Sequence, residues 1–266
     1  MSSLAGKVVS IVGAAGKDNM GQVIARRFAQ EGAKVIVSGR HEHPLRELAE
    51  EIQGDWVLCD FSKKDSIDQM IDSILDRHGR LDVAINCTGW GLLIPMTENT
   101  EEQLDRMVDL QFKGPFFWLQ KLLAAMDSTG GSIIQISSAT ATIMLDDHSA
   151  YMGTKAGTDH LIRCVANQYG EKGIRANSIS PGVTETPMTA DAMQSQALVE
   201  TFRKCYPLGR VGTSEDIAAA AVFLASDECF MTGQNLQVNG GLTLRRNPLG
   251  KEIQEAMVAA GEIPAP

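Results

Sequence analysis

Two side chains four residues apart, Tyr151 and Lys155 in YMGTK, can do proton chemistry if they lie on a helix, where residues i and i+4 share a face. A phenol with an ordinary pKa of about 10 is a poor proton carrier at neutral pH. A fixed ammonium beside it favours the phenolate and lowers that value. Thirteen positions upstream stands Ser138, closing the apolar run SIIQISS (132–138), where a hydroxyl can hold a substrate oxygen. Taken alone, such a Tyr/Lys pair more often marks a solvated helix face, so it needs support from elsewhere in the chain.

Support comes from the other end. VGAAGKDNMGQ (12–22) sets Gly13, Gly16 and Gly21 between an apolar run and VIARRFAQEGAKV, a segment of helical period. A strand, a glycine turn and a helix start make a phosphate cradle: backbone N–H groups and the helix dipole face the anion, and glycines let it approach. The spacing G-x-x-G-x-x-x-x-G departs from the common dinucleotide fingerprint. After the second apolar run the chain reads VIVSGRHEH (35–43). A NAD-type site carries a carboxylate in this region, to hold the ribose 2′-hydroxyl. Gly39 and Arg40 stand there instead, and a guanidinium suits a 2′-phosphate through charge-assisted, bidentate bonds. Lys17 offers a second positive charge if the loop folds toward the ribose. Glu42 lies close and argues the other way, so NADP(H) is favoured and NAD(H) is the alternative.

The elements that must hold these residues alternate. Apolar, β-branched runs at 7–12, 34–38, 56–60, 81–86, 132–138, 174–180 and 235–239 are separated by helical patterns at 20–31, 43–53, 63–78, 99–127, 150–170 and 214–226. Near-continuous apolar strands between helices indicate a parallel sheet covered on both faces. The expected fold is α/β, a single-domain doubly wound Rossmann fold with a seven-stranded parallel sheet, spanning residues 1–266. Two stretches fall outside the alternation. Residues 184–210 form a long excursion, read as a substrate lid. The tail 242–266 holds a short helical pattern at 250–260.

Bulk properties narrow the class. The formal charge of −9 argues against a nucleic-acid or anionic-membrane surface. Five scattered cysteines, without a C-x-x-C pair, suit reduced thiols in a cytoplasmic protein rather than a disulfide framework or a zinc site. No metal is called for by any His, Cys or carboxylate spacing. The N-terminus lacks a signal-peptide layout, and no apolar stretch is long enough to span a bilayer.

A serine at a strand end, then Tyr-x-x-x-Lys, on a chain that opens with a glycine loop, resembles the short-chain dehydrogenase/reductase family from about Lys7 to Gly241. NCTG (86–89) stands where the family usually has N-N-A-G, and Asp60-Phe61 matches its acidic position near the adenine. SPGVTETPM (180–188) matches the Pro-Gly and following threonines at the nicotinamide, and NGG (239–241) the end of the last strand. The opening loop is similar to the family's T-G-x-x-x-G-x-G, lengthened by two residues. The resemblance implies cofactor contacts at Gly13, Gly16, Asn19, Met20, Gly21, Asp60, Phe61, Asn86, Pro181, Gly182, Thr184 and Thr186, besides Tyr151 and Lys155, to which the charge argument adds Lys17 and Arg40.

It also implies reversible hydride transfer at C4 of a nicotinamide, between a CH–OH and a C=O group. Tyr151 is then the general acid/base, Lys155 lowers its pKa and binds the ribose, and Ser138 steadies the substrate oxygen. Gln111 stands where the family has a fourth catalytic residue, Asn; it either keeps a proton relay or merely packs. Candidate substrate residues are Trp90, Leu92, Thr140, Met144, Leu145 and Met188, which suggest an apolar or cyclic secondary alcohol or ketone. The Tyr/Lys spacing favours a carbonyl/alcohol enzyme over a C=C (enoyl) reductase; a non-catalytic dinucleotide-binding protein is the third reading. The family also implies a homotetramer, with a dimer as the alternative. Bland readings fall to Cys87 as packing, His41 and His43 as solvated, and Asp146-Asp147 as a solvated turn. His148 either rims the pocket or lies on the surface.

Overall fold

In the computed structural model, which describes residues 4–265, the apolar runs pair into one seven-stranded, all-parallel sheet. Its strands are β1 (Val8–Val12), β2 (Lys34–Gly39), β3 (Asp55–Leu58), β4 (Val83–Asn86), β5 (Gly131–Ile136), β6 (Ile174–Pro181) and β9 (Asn235–Val238). Their order is β3-β2-β1-β4-β5-β6-β9. Val9 of β1 pairs with Val35 on one side and Val83 on the other, so the chain's direction of winding reverses between β1 and β4. Ligands of open α/β sheets bind outside the carboxyl ends of the strands at such a switch point.

The covering helices explain the apolar runs. Val9, Ile11, Ile85 and Ile134 face one layer with Ile24 and Phe28 of α1 (Met20–Gln30), Leu45 of α2 (Glu42–Glu51) and Ala221 of α9 (Ser214–Ala225). On the other face Val12, Ile36 and Ile133 meet Ile71 of α3 (Lys64–His78), Trp118 of α5 (Gly114–Ala125) and Ile162 of α6 (Ser149–Tyr169). A strand covered twice has no solvated side, which is why these strands read as unbroken hydrophobic stretches.

Three departures from the sequence reading matter for the site. The helical pattern at 99–127 is built as α4 (Glu101–Val108), a π-helical turn (Asp109–Lys113) and α5. Pro115 lacks an N–H and its ring crowds the carbonyl four residues back, so the turn widens there. Strand β5 stops at Ile136, and Ser138 instead caps a short turn at Ala139–Ala141. The excursion at 184–210 carries elements of its own, β7 (Thr184–Glu185), α7 (Ala190–Gln194) and α8 (Gln196–Cys205). β7 pairs with β8 (Gly212–Thr213). The tail forms α10 (Gly250–Ala259), matching the expected helix. Phe202, Tyr206, Leu242, Leu145 and Ile253 join in a third, smaller apolar cluster that unites lid segment, tail and the turn after β5. No helix among the described residues is long and apolar enough to cross a membrane.

Candidate active site

The glycine loop leaves the carboxyl end of β1 and enters α1. Gly13 has φ +95°, and a Cβ there would meet the Cys87 carbonyl carbon and Thr88 N at 2.8 Å, so glycine is required twice over. Gly21 lets the helix start approach Gly13 O, where a Cβ would stand 2.7 Å away. Asn19 caps α1: its Oδ1 accepts from Gln22 N at 3.0 Å, and its Nδ2 donates to Gly13 O at 2.9 Å. Gln22 Nε2 returns to Ala14 O at 3.1 Å. The lengthened loop is therefore braced from within. Among the described residues, the N–H groups of Ala15, Gly16, Lys17, Met20 and Gly21 make no hydrogen bond within the chain. A run of free donors at a helix N-terminus fits a pyrophosphate.

Arg40 follows the end of β2, exposed and without an ion pair, as is Lys17. It lines a cavity of about 650 Å³ together with Asp60, Ser62, Gly89 and Trp90, and with Glu101, Glu102, Asp105, Arg106 and Asp109 of the α4 segment. Asp60 accepts from the Ser62 hydroxyl at 2.7 Å and pairs with Lys63 at 3.5 Å. The Phe61 ring is core, edge-on to Trp118 with centroids 6.1 Å apart, so only its backbone can face a cofactor. Asn86 is fully buried and spends its amide on Gln135 (2.9 Å) and on Thr88 N (2.8 Å); it orders the loop after β4.

Across the switch point, helix α6 brings Tyr151 and Lys155 to Ser138. Lys155 is buried; its Nζ lies 5.5 Å from the Tyr151 ring centroid and donates to Ile136 O at 2.9 Å. Burial pulls this ammonium down to about 8, opposed by the Asp159 charge. Asp159, one turn further along α6, accepts from Ser137 Oγ at 2.8 Å and Asn235 Nδ2 at 2.7 Å. Burial pushes the Tyr151 phenol up to about 12, opposed by its hydrogen bond with Ser138. In this geometry the Lys155 ammonium sits by the ring and bonds a carbonyl, and desolvation sets the direction of the tyrosine's shift. Ser138 Oγ lies 2.8 Å from Thr140 Oγ1. The Cys87 thiol, half-buried near Lys155, is pushed up to about 12 by desolvation, which suits packing rather than nucleophilic attack.

Gln111 sits in the π-helical turn with every polar atom engaged inside the chain. Its Oε1 accepts from Trp90 N at 3.1 Å, and its Nε2 donates to Thr154 Oγ1 at 3.1 Å and contacts Met107 Sδ. Its backbone carbonyl accepts from Thr158 Oγ1 at 2.6 Å. The side chain thus pins the loop after β4 to helix α6.

On the substrate side the candidates separate. Thr140 stays beside Ser138, and Leu145 joins the third apolar cluster. Met144 and Met188 are exposed at 68% and 63%, on the rim. Trp90 does not join them: Arg106 stacks on its indole 4.0 Å from the centroid, and both line the cavity with Arg40. Leu92 contributes its carbonyl, which meets His148 Nδ1 at 2.8 Å. Pro181 and Gly182 end β6 beneath Tyr206, whose Oη accepts from Val183 N at 2.6 Å; a Cβ at Gly182 would strike that oxygen. Thr184 is buried and bonds Gly182 O at 3.0 Å, and Thr186 caps the next turn. Asp146 and Asp147 lie exposed in a turn, as expected, and Asp146 also accepts from Gly250 N at 2.8 Å, at the start of α10. Of the residues that sequence reasoning missed, Asp159 had a signal, its i+4 place after Lys155, whereas Tyr206 had none. His41 and His43 are exposed, as expected.

An open parallel sheet, with a phosphate cradle on one side of its switch point and a Ser/Tyr/Lys cluster on the other, defines a dinucleotide-binding α/β oxidoreductase. Comparison with known proteins agrees: a family model described as Enoyl-(Acyl carrier protein) reductase matches residues 13–243. D-threitol dehydrogenase of Mycolicibacterium smegmatis is 32% identical over 249 residues, 91% of this chain and 95% of that protein. 3beta-hydroxysteroid dehydrogenase 1 of Eggerthella lenta is 32% identical over 250 residues, with the same coverage of 91% and 95%. A solved short-chain dehydrogenase/reductase from Mycobacterium ulcerans superposes with a TM-score of 0.89 at 31% identity, covering 92% of this chain and 93% of that one. A gluconate 5-dehydrogenase from Burkholderia cenocepacia, solved in complex with NADP and tartrate, gives 0.87 at 27%, covering 91% and 96%. The chain belongs to the short-chain dehydrogenase/reductase family, whose members bind NAD(P).

Proposed function

We propose that this enzyme transfers a hydride between NADP(H) and a secondary alcohol or ketone. The observation that carries the reading is the convergence of Ser138, Tyr151 and Lys155 opposite the glycine cradle. The nicotinamide, when bound, accepts or supplies the hydride. Tyr151 Oη exchanges the proton with the substrate oxygen, and Ser138 Oγ hydrogen-bonds that oxygen as charge develops on it. Lys155, released from Ile136 O, holds the ribose and draws the phenol toward ionisation. The free N–H groups of residues 15–17, 20 and 21 take the pyrophosphate. Pro181, Gly182, Thr184 and Thr186 flank the nicotinamide, and 184–210 closes over the substrate as a lid. Gln111 serves as a positioning residue.

Arg40 and Lys17, both without ion pairs, support NADP(H) through the 2′-phosphate. NAD(H) is the second reading, favoured by one observation: Asp60, Glu101, Glu102, Asp105 and Asp109 outnumber Arg40 and Arg106 in the cavity wall. C=C reduction, which the family model's description suggests, is disfavoured by the four-residue Tyr/Lys spacing and is tested with enones beside ketones. We further propose a cytoplasmic homotetramer, in keeping with five free cysteines; light scattering that gives a monomer contradicts the assembly.

The test of cofactor choice is the ratio of kcat/KM for NADP and NAD. The wild type is expected to favour NADP, and Arg40→Ala to lower the ratio by about tenfold or more. A wild type that prefers NAD, or a ratio indifferent to Arg40, overturns the choice and leaves the oxidoreductase reading intact.

A further inference from the structure

His148 immediately precedes α6 and is 8% exposed. Its imidazole stacks on the Tyr151 ring, with centroids 4.3 Å apart and planes inclined by 26°. Its Nδ1 lies 2.8 Å from Leu92 O. A carbonyl only accepts, so Nδ1 carries the ring hydrogen of a neutral imidazole and Nε2 is left with its lone pair. Burial lowers the imidazole's affinity for a second proton and so favours the neutral form. Ile94 N donates to Asp147 O at 2.6 Å, so the loop after β4 bonds two successive residues of the turn and restrains the ring. Nε2 makes no hydrogen bond within the chain, and it is not among the polar atoms shut away from solvent. It is an oriented acceptor, open to a donor, one ring-thickness from the general acid/base.

An acceptor so placed serves a donor on the part of a ligand next to the reacting centre. A carboxylate or bare carbonyl there presents only lone pairs and is repelled; a hydroxyl fits. We propose that His148 Nε2 accepts a hydrogen bond from a hydroxyl on the carbon adjacent to the one oxidised, and that the substrates are vicinal diols and α-hydroxy ketones. The inference rests on the alcohol/ketone reading above and narrows its substrate class: the carbon skeleton meets the exposed methionines while one hydroxyl is read by the imidazole. In the oxidation the reacting C–H leaves as hydride to the nicotinamide, and the reacting O–H proton passes to the Tyr151 phenolate. The C=O forms there, and the neighbouring O–H is conserved.

The experiment compares butane-2,3-diol with butan-2-ol, with NADP or NAD as oxidant, in the wild type, His148→Phe and His148→Gln. Phenylalanine keeps the stack and loses both nitrogens, whereas glutamine can donate to Leu92 O and still offer an oxygen. The wild type is expected to favour the diol in kcat/KM by about tenfold to a hundredfold. His148→Phe brings the ratio close to one, and His148→Gln restores part of it. Thermal melting and NADPH titration confirm that each variant folds and binds cofactor. A ratio unchanged in His148→Phe, or two substrates lost by the same factor, overturns the inference. A wild type that oxidises butan-2-ol but not the diol also sinks it, while the oxidoreductase reading stands. A wild type that oxidises neither sinks both.

Discussion

The glycine loop and the proposed substrate wall lie at the carboxyl edge of the sheet, and the side-chain bonds that hold them differ in range. The cradle is stitched by neighbours: Asp18 N to Gln22 Oε1 (3.0 Å), Asn19 Nδ2 to Gly13 O (2.9 Å), Gln22 Nε2 to Ala14 O (3.1 Å). The wall is closed by residues far apart in sequence. His148 meets Leu92 O (2.8 Å), Asn247 Nδ2 meets Met144 O (3.0 Å), Gly250 N meets Asp146 (2.8 Å), and Ala197 N meets Glu262 (3.1 Å). Short-range stitching is set by local backbone geometry and costs little closure entropy. Long-range closure depends on the rest of the fold being in place. The first arrangement suits a cofactor of fixed shape, and the second a surface that differs from one substrate to the next.

Helix α6 stands between the two regions, and the largest effect is expected there. Tyr151→Phe keeps the ring and its stack on His148 while removing the proton carrier. Turnover is expected to fall about a thousandfold, with NADP(H) affinity changed less than about threefold. Single-turnover kinetics beside a cofactor titration check this, and near-normal turnover would assign the proton to another group.

The next effect probes the close packing of the cradle on the turn after β4. Gly13→Ala forces a Cβ into a φ of +95° and to within 2.8 Å of the Cys87 and Thr88 backbone, which has no flexible end to give way. Strain and overpacking together are expected to cost about 3 kcal/mol, lowering Tm by roughly 10 °C, with cofactor affinity lost beside it. An unchanged Tm would mean that the β1 turn relaxes easily, and the contrast between the two regions would weaken.

Legibility followed the same division. The Tyr/Lys spacing, the glycine loop and the apolar runs are local, and the fold and the Ser138/Tyr151/Lys155 cluster could be read from them. Orientation by distant partners could not. Nothing in the sequence around Trp90 says that Arg106 stacks on it beside the cavity that Arg40 also lines, or that Asp146 holds the start of α10. Gln111 is the sharpest case, because its amide could serve a relay or bind neighbours, and its three protein partners support the second. Gln111→Ala leaves Trp90 N–H and Thr154 without their bonds. It is expected to lose about 1–3 kcal/mol of stability with the pH dependence of turnover unchanged. A shifted pH profile at unchanged Tm would restore the relay.

The smallest effect belongs to the wall. Asp146 is exposed, so its bond to Gly250 N adds little to global stability; Asp146→Ala is expected to lower Tm by no more than about 2 °C. Yet that bond ties the loop carrying Met144 to the helix that packs on α8, and α8 belongs to the proposed lid. Loosening it frees a surface that only the substrate touches, so KM for the alcohol is expected to rise several-fold while the affinity for NADP(H) stays constant. Asn247→Ala, which cuts the neighbouring bond to Met144 O, is expected to act in the same direction, and the two changes together to give less than the product of their separate effects, because they open one clasp. Full multiplicativity would mean two independent contacts. A parallel loss of cofactor affinity would mean that the wall and the cradle are mechanically one body, and that the difference in how they are stitched has no functional consequence.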